Sequence, residues 1–189
     1  VLSGLGTQEQ QRQAMNSVKE YLDTDLGIKK IHPAMTTDYP TKEENLTCYN
    51  KGCGENGSVF CHANTWAIIA ECMLGRPENA WKYYHQLLPM VAQKTAGAER
   101  YKAEPYVYSS NIFGPESDKF GLANVSWLTG TAAWMYLAAT QYLLGVRPTW
   151  DGLEIDSCLP EHLLPAKVTR VFRGCRYEIT ITKNQKLLL

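Results

Sequence analysis

The chain has 189 residues with 19 basic and 19 acidic side chains, so its formal net charge is zero. That length fits one or two domains with a real core. The balanced charge argues against a nucleic-acid or membrane-surface binder, which would carry a basic excess. No apolar run approaches the roughly 20 residues that span a bilayer, and no basic-then-apolar leader opens the chain.

Val1-Leu2-Ser3-Gly4-Leu5-Gly6 lacks an initiator Met and reads as internal sequence. Thr7 with Gln10 has the form of a capping box, and Ala14, Val18, Tyr21 and Leu22 follow at helical spacing. The first helix therefore ends before Gly27. Residues 28–60 carry turn chemistry, from His32-Pro33 and Tyr39-Pro40 to the cluster between Asn50 and Gly57. Long aperiodic stretches of this kind are often functional. A second helix is expected from Ala63 or Asn64 to Leu74, stopped by Gly75. A third starts at Pro77 and runs through Trp81, Tyr84 and Leu88 towards Lys94.

Residues 95–126 read as irregular, with Pro105, Gly114, Pro115 and Gly121. A fourth helix follows from Thr129 to Leu144, closed by Gly145 and Pro148. The period then changes to alternation in 153–156, 168–172 and 177–182, with Arg173-Gly174 as a hairpin turn. Helices with long loops, followed by a small β tail, indicate a mainly α fold. The helical part is residues 1–148 and the strands belong to 149–189. Of the six cysteines, Cys72 lies in apolar helical text and Cys175 in a strand pattern. All six are expected as free thiols of a cytoplasmic protein.

Three stretches could carry chemistry. Trp127-Leu128-Thr129-Gly130-Thr131 opens a helix, where first-turn N–H groups lack partners and the dipole favours an anion. An ordinary Thr cap has the same appearance. Gly52 to His62 combines flexible glycines with Glu55, Asn56 and a His at a helix start. Cys53, Cys61 and His62 match no paired zinc spacing, so no metal is expected. Lys102-Ala103-Glu104-Pro105-Tyr106-Val107-Tyr108 places aromatics beside a carboxylate, which suits a sugar or a core strand equally. Trp66, Trp81, Trp127, Trp134 and Trp150 are ambiguous in the same way.

In order, ENGSVFCHANTW, EPYVY, NVSWLTGTAAWMY and GVRPTWDGL resemble the C-terminal half of the cellobiose phosphorylase family. That family includes cellodextrin, laminaribiose and chitobiose phosphorylases. The resemblance runs from VLSGLGT to FRGCRYEI. It implies part of an (α/α)6 barrel followed by strands of a small C-terminal β-domain. It also implies inverting phosphorolysis of a β-linked gluco-disaccharide or oligosaccharide, giving α-glucose 1-phosphate. Inorganic phosphate would be a substrate, no cofactor would be needed, and family members are often homodimers. The family's phosphate ligands carry over onto His62, Thr129 and Gly130. Glu55 matches an acceptor-side sugar ligand, and Tyr49 an acceptor-side aromatic. The general-acid Asp lies upstream of the matched region, so Asp118, Asp151 and Asp156 are not assigned to it. Two positions depart from the family: Gly54 stands where a Lys precedes Glu-Asn-Gly, and Ser110 where a Gln stands two positions after EPYVY.

Two other classes compete. A glycoside hydrolase on the same barrel would need a carboxylate base and would have no use for an anion site. A non-catalytic carbohydrate-binding module would bind glucan without phosphate. Phosphate dependence of turnover and of binding separates the three.

Overall fold

A computed structural model describes residues 1–36 and 49–183. Helix α1, Gln8–Ser17, is opened by the expected box: the Gln10 amide donates to Thr7 Oγ1 at 3.2 Å, and the Thr7 amide to Gln10 Oε1 at 2.8 Å. It continues in wider turns through Val18–Leu22. Two short strands follow, β1 (Asp23–Thr24) and β2 (Gly27–Ile28), paired as a tight hairpin.

Strand β3 (Val59–Phe60) leads without a break into α2, Cys61–Met73. This helix starts two or three residues before the expected position. It is the centre of the core: Ile68, Ile69 and Ala70 are buried among Leu26, Tyr83, Leu87 and Met135. Gly75 ends it with φ 66°, its amide bonding Cys72 O and that of Arg76 bonding Glu71 O. Helix α3, Pro77–Leu87, then returns along α2.

The single helix expected from Pro77 towards Lys94 is in fact two. Helix α3 stops at Leu87 and α4 begins at Pro89. The junction residue Leu88 has ψ 127°, the extended backbone forced on a residue preceding proline. Pro89 also has no amide hydrogen to continue the helix. A short α5 (Ala98–Tyr101) follows.

Residues 95–126 are not wholly irregular. Strands β4 (Ser109–Ile112) and β5 (Ala123–Ser126) join β3 in an antiparallel sheet ordered β3-β4-β5. Phe60 pairs with Asn111, and Ser109 with Ser126. Helix α6, Thr131–Leu137, begins two residues later than expected and continues in wide turns over Ala138–Leu143. Strands β6 (Val146–Pro148) and β7 (Leu153–Ile155) pair across position 148. Finally β8 (Ala166–Phe172) and β9 (Cys175–Ile181) form the expected hairpin. Its turn residues Arg173 and Gly174 have φ 49° and 80°, as a twist-matched two-residue turn requires. The fold is thus mixed: packed helices with small antiparallel sheets. Among the described residues no helix is long and apolar enough to cross a membrane.

Side-chain amides replace ladders where the loops enter the core. Asn64 is buried on α2; it accepts from the Ile28 amide at 2.6 Å and donates to Ile28 O and Phe60 O. This clamps β2 and β3 onto α2. Asn56 likewise binds both Met35 backbone groups and Tyr49 O. Buried backbone groups outside regular ladders need such partners.

Candidate active site

The sheet fixes Phe60, and the turn from β3 into α2 places His62 in the first turn of that helix. Packing of α6 against α2 brings the start of α6 beside it. A Cβ added at Gly130 would stand 3.1 Å from His62 Cε1 and 3.4 Å from Nε2. The imidazole therefore occupies space that any larger residue at 130 would contest. The rings of Phe60, Trp66 and Trp134 surround it, with centroids 6.1, 5.6 and 6.1 Å away. Its Nε2 is buried and, among the described residues, has no hydrogen-bond partner. A buried polar atom left so is costly unless something fills the position.

Among the described residues, neither N-cap residue, Phe60 before α2 or Gly130 before α6, makes a side-chain cap, although the Thr131 amide donates to Thr129 Oγ1 at 3.4 Å. Thr129 is consequently not the first residue of its helix, as the sequence suggested. It sits just outside, with Oγ1 2.6 Å from Thr131 Oγ1, and Thr131 is buried at the first helical position. His62 and Gly130 are brought into contact, and Thr129 adjoins them along the chain. The backbone here is tense, since Val125 and Trp127 have φ 49° and 68°. Trp127 and Leu128 project into solvent.

Glu55 lies on a neighbouring groove of about 430 Å³, lined also by Lys30, Phe60, Ala63 and Trp66. Its Oε1 accepts from Lys30 Nζ at 2.6 Å, and that ammonium sits 4.8 Å above the Phe60 ring. Tyr49 is laid across Gly54: a Cβ at Gly54 would meet Tyr49 Cδ1 at 2.5 Å. With Gly54 at φ 49°, a side chain there would be strained and would displace the ring. Phe60 bridges the two groups, touching Lys30 on one side and His62 on the other.

Elsewhere in the sequence motifs, the Glu104 carboxyl is held below the usual range. Its own backbone amide is the main cause, with the Ser126 hydroxyl and Trp127 adding to it. Ser110 Oγ accepts from Asn111 at 2.9 Å within β4. The Cys61 thiol is pushed up to about 11 by burial, which leaves it without nucleophilic character near neutrality. Among the described residues, no three His, Cys, Asp or Glu side chains are grouped to hold a metal ion. Cys53, Cys61, Cys72, Cys158 and Cys175 are free thiols, and Cys48 lies outside the described residues. Lys30 went unnoticed in the sequence. No motif marks it, and its partner Glu55 is distant along the chain.

A buried imidazole against a helix start, beside an aromatic groove with a carboxylate, is an arrangement able to hold an anion next to a sugar. Residues 1–145 match the glycosyl hydrolase 94 superfamily, catalytic domain, and the chain belongs to that family. It is 40% identical to N,N'-diacetylchitobiose phosphorylase of Vibrio proteolyticus over 96% of its length and 22% of that protein. Solabiose phosphorylase of Paenibacillus borealis is 35% identical over 98% of this chain and 24% of the relative. A 3-O-beta-D-glucopyranosyl-beta-D-glucuronide phosphorylase of Paenibacillus borealis is 31% identical, over 96% and 23%. The chain thus spans between a fifth and a quarter of these relatives.

Proposed function

We propose that this chain supplies the phosphate side and part of the acceptor side of an inverting disaccharide phosphorylase. The observation that carries the reading is the buried Nε2 of His62, without a partner among the described residues, against Gly130. Phosphate there would take a hydrogen bond from the imidazole, another from the Thr129 hydroxyl, and first-turn amides of two helices. It would attack the anomeric carbon of a β-linked glucosyl unit from the face opposite the departing sugar, inverting the configuration. The leaving oxygen takes its proton from an Asp outside this stretch, and no second carboxylate is required because phosphate replaces activated water. Glu55 and Tyr49 would contact the departing sugar. The reading includes a barrel of the (α/α)6 type to which residues 1–148 contribute, with residues 149–189 opening a β-domain. It also includes a cytoplasmic enzyme without cofactor or metal.

The test is an assay of the full-length protein with a panel of β-linked disaccharides, with and without inorganic phosphate. Release of α-glucose 1-phosphate only with phosphate is the expected result. Hydrolysis at equal rate in phosphate-free buffer would replace this reading with that of a hydrolase, and sugar binding without turnover with that of a binding module.

A further inference from the structure

We infer that Lys30 is a positioning residue of the acceptor site and that the Lys30–Glu55 pair selects an uncharged sugar acceptor. This rests on the phosphorylase reading above and extends it to the substrate class.

Lys30 is fixed at three points. Its backbone amide bonds Ser58 O at 2.9 Å, its Nζ reaches Glu55 Oε1 at 2.6 Å, and the Phe60 ring lies 4.8 Å beneath the ammonium. Its side chain keeps only 19% of its exposure, whereas that of Glu55 keeps 55%. The lysine is therefore packed and the carboxylate presented. A long glutamate side chain on a turn would otherwise sample several rotamers, and a held partner removes that freedom before a ligand arrives. The bond to Lys30 uses Oε1, so Oε2 keeps its capacity to accept from a ligand hydroxyl, while an ammonium with three donors can serve a neighbouring hydroxyl oxygen. An acceptor and a donor side by side suit two adjacent sugar hydroxyls. Trp66, 45% exposed on the same groove, offers a ring to the apolar face of a pyranose.

Charge decides the class. Lys30 is neutralised by Glu55, and the adjacent Lys29, also on the groove, by Glu116. Among the described residues lining this groove, no cation remains for a carboxylate. The pair as a whole is neutral, so an acidic sugar finds no excess positive charge here to offset the desolvation of its carboxylate, whereas the hydroxyls of a neutral sugar are matched by one acceptor and one donor. The expected acceptors are thus neutral sugars, in contrast to the glucuronide named for one relative.

The experiment uses the full-length enzyme in the synthetic direction, with α-glucose 1-phosphate as donor. Acceptors are glucose and N-acetylglucosamine against glucuronic and gluconic acids, and Lys30→Met, Lys30→Arg and Glu55→Gln accompany the wild type. The wild type should use a neutral acceptor at least about tenfold better than the acids. Lys30→Met should raise the acceptor KM about tenfold, the worth of one charge-assisted bond, and leave the KM for glucose 1-phosphate within about twofold. Lys30→Arg should recover part of the loss. Glu55→Gln uncovers the ammonium and should narrow the preference against acids. Should Lys30→Met fail to fold, the Glu55→Gln acceptor panel decides alone: an unchanged ratio overturns the inference. So do an unchanged acceptor KM in a folded Lys30→Met enzyme and a wild type that prefers an acidic acceptor. Those results leave phosphorolysis standing, whereas absence of phosphate-dependent turnover in the wild type overturns both readings together.

Discussion

The His62 imidazole is confined by three aromatic rings and by the Gly130 backbone, so its orientation is set before any ligand binds. Confinement of this kind makes single substitutions informative. His62→Ala and Thr129→Ala should each raise the phosphate KM about ten- to a hundredfold, since a hydrogen bond to an ionised group contributes about 1.5–3 kcal/mol. Steady-state kinetics at varied phosphate checks this, and an unchanged phosphate KM would leave two ordinary helix starts. His62→Asn should retain more activity than His62→Ala if donation rather than charge is what the site uses. Gly130→Ala is the sharper probe. Its methyl would stand 3.1 Å from Cε1, so the ring must shift by a few tenths of an ångström. The phosphate KM should rise several-fold, with a loss of stability of about 1–3 kcal/mol from the crowded ring. Motif order singled out His62, Thr129 and Gly130 in the sequence, and the fold sets His62 against Gly130. Lys30 was not legible, because a lysine in aperiodic text gains its role only when the fold brings Glu55 to it.

At the scale of elements, what the sequence announced depended on how locally each element is determined. The capping box of α1, Gly75 after α2 and the Arg173-Gly174 turn are decided within a few residues, and all three formed as expected. The sheet β3-β4-β5 was invisible, since strands of two to four residues leave no alternation to detect. The division of α3 from α4 was readable at Pro89, but the apolar spacing on either side masked it. In place of long ladders, Asn64 holds β2 and β3 to α2 by three bonds. Asn64→Ala would strand the Ile28 amide and two carbonyls in the core. A loss of about 2–3 kcal/mol in urea-induced unfolding is expected. A loss below about 0.5 kcal/mol would mean that the loop and sheet are held by other contacts.

For the molecule as a whole, one polar cluster joins the first three helices. Glu71 on α2 is fully buried beside Arg76 at 3.1 Å and Asn79 on α3. Arg76 in turn reaches Asn16 on α1, and Lys19 reaches Asn79. Burial is the largest influence on the Glu71 carboxyl and raises its pKa, while Arg76, Asn79 and Lys19 oppose the rise. The folded protein therefore holds this proton more tightly than the unfolded chain does. Stability from the group is full below the ordinary glutamate pKa and declines as pH climbs through the raised folded value. Glu71→Gln keeps the shape and removes the titration. The stability of the wild type relative to Glu71→Gln, measured by urea unfolding at steps between pH 4 and pH 7, should fall as pH increases. A rise over that interval would mean that Arg76 outweighs the desolvation of the carboxylate, and that the cluster acts as an ion pair rather than as a buried acid. Glu71→Ala separates the shape of the side chain from its charge. It takes the Glu71 partner from Arg76 and Asn79 at every pH, while their bonds to Asn16 and Lys19 remain, and should be the least stable of the three proteins throughout.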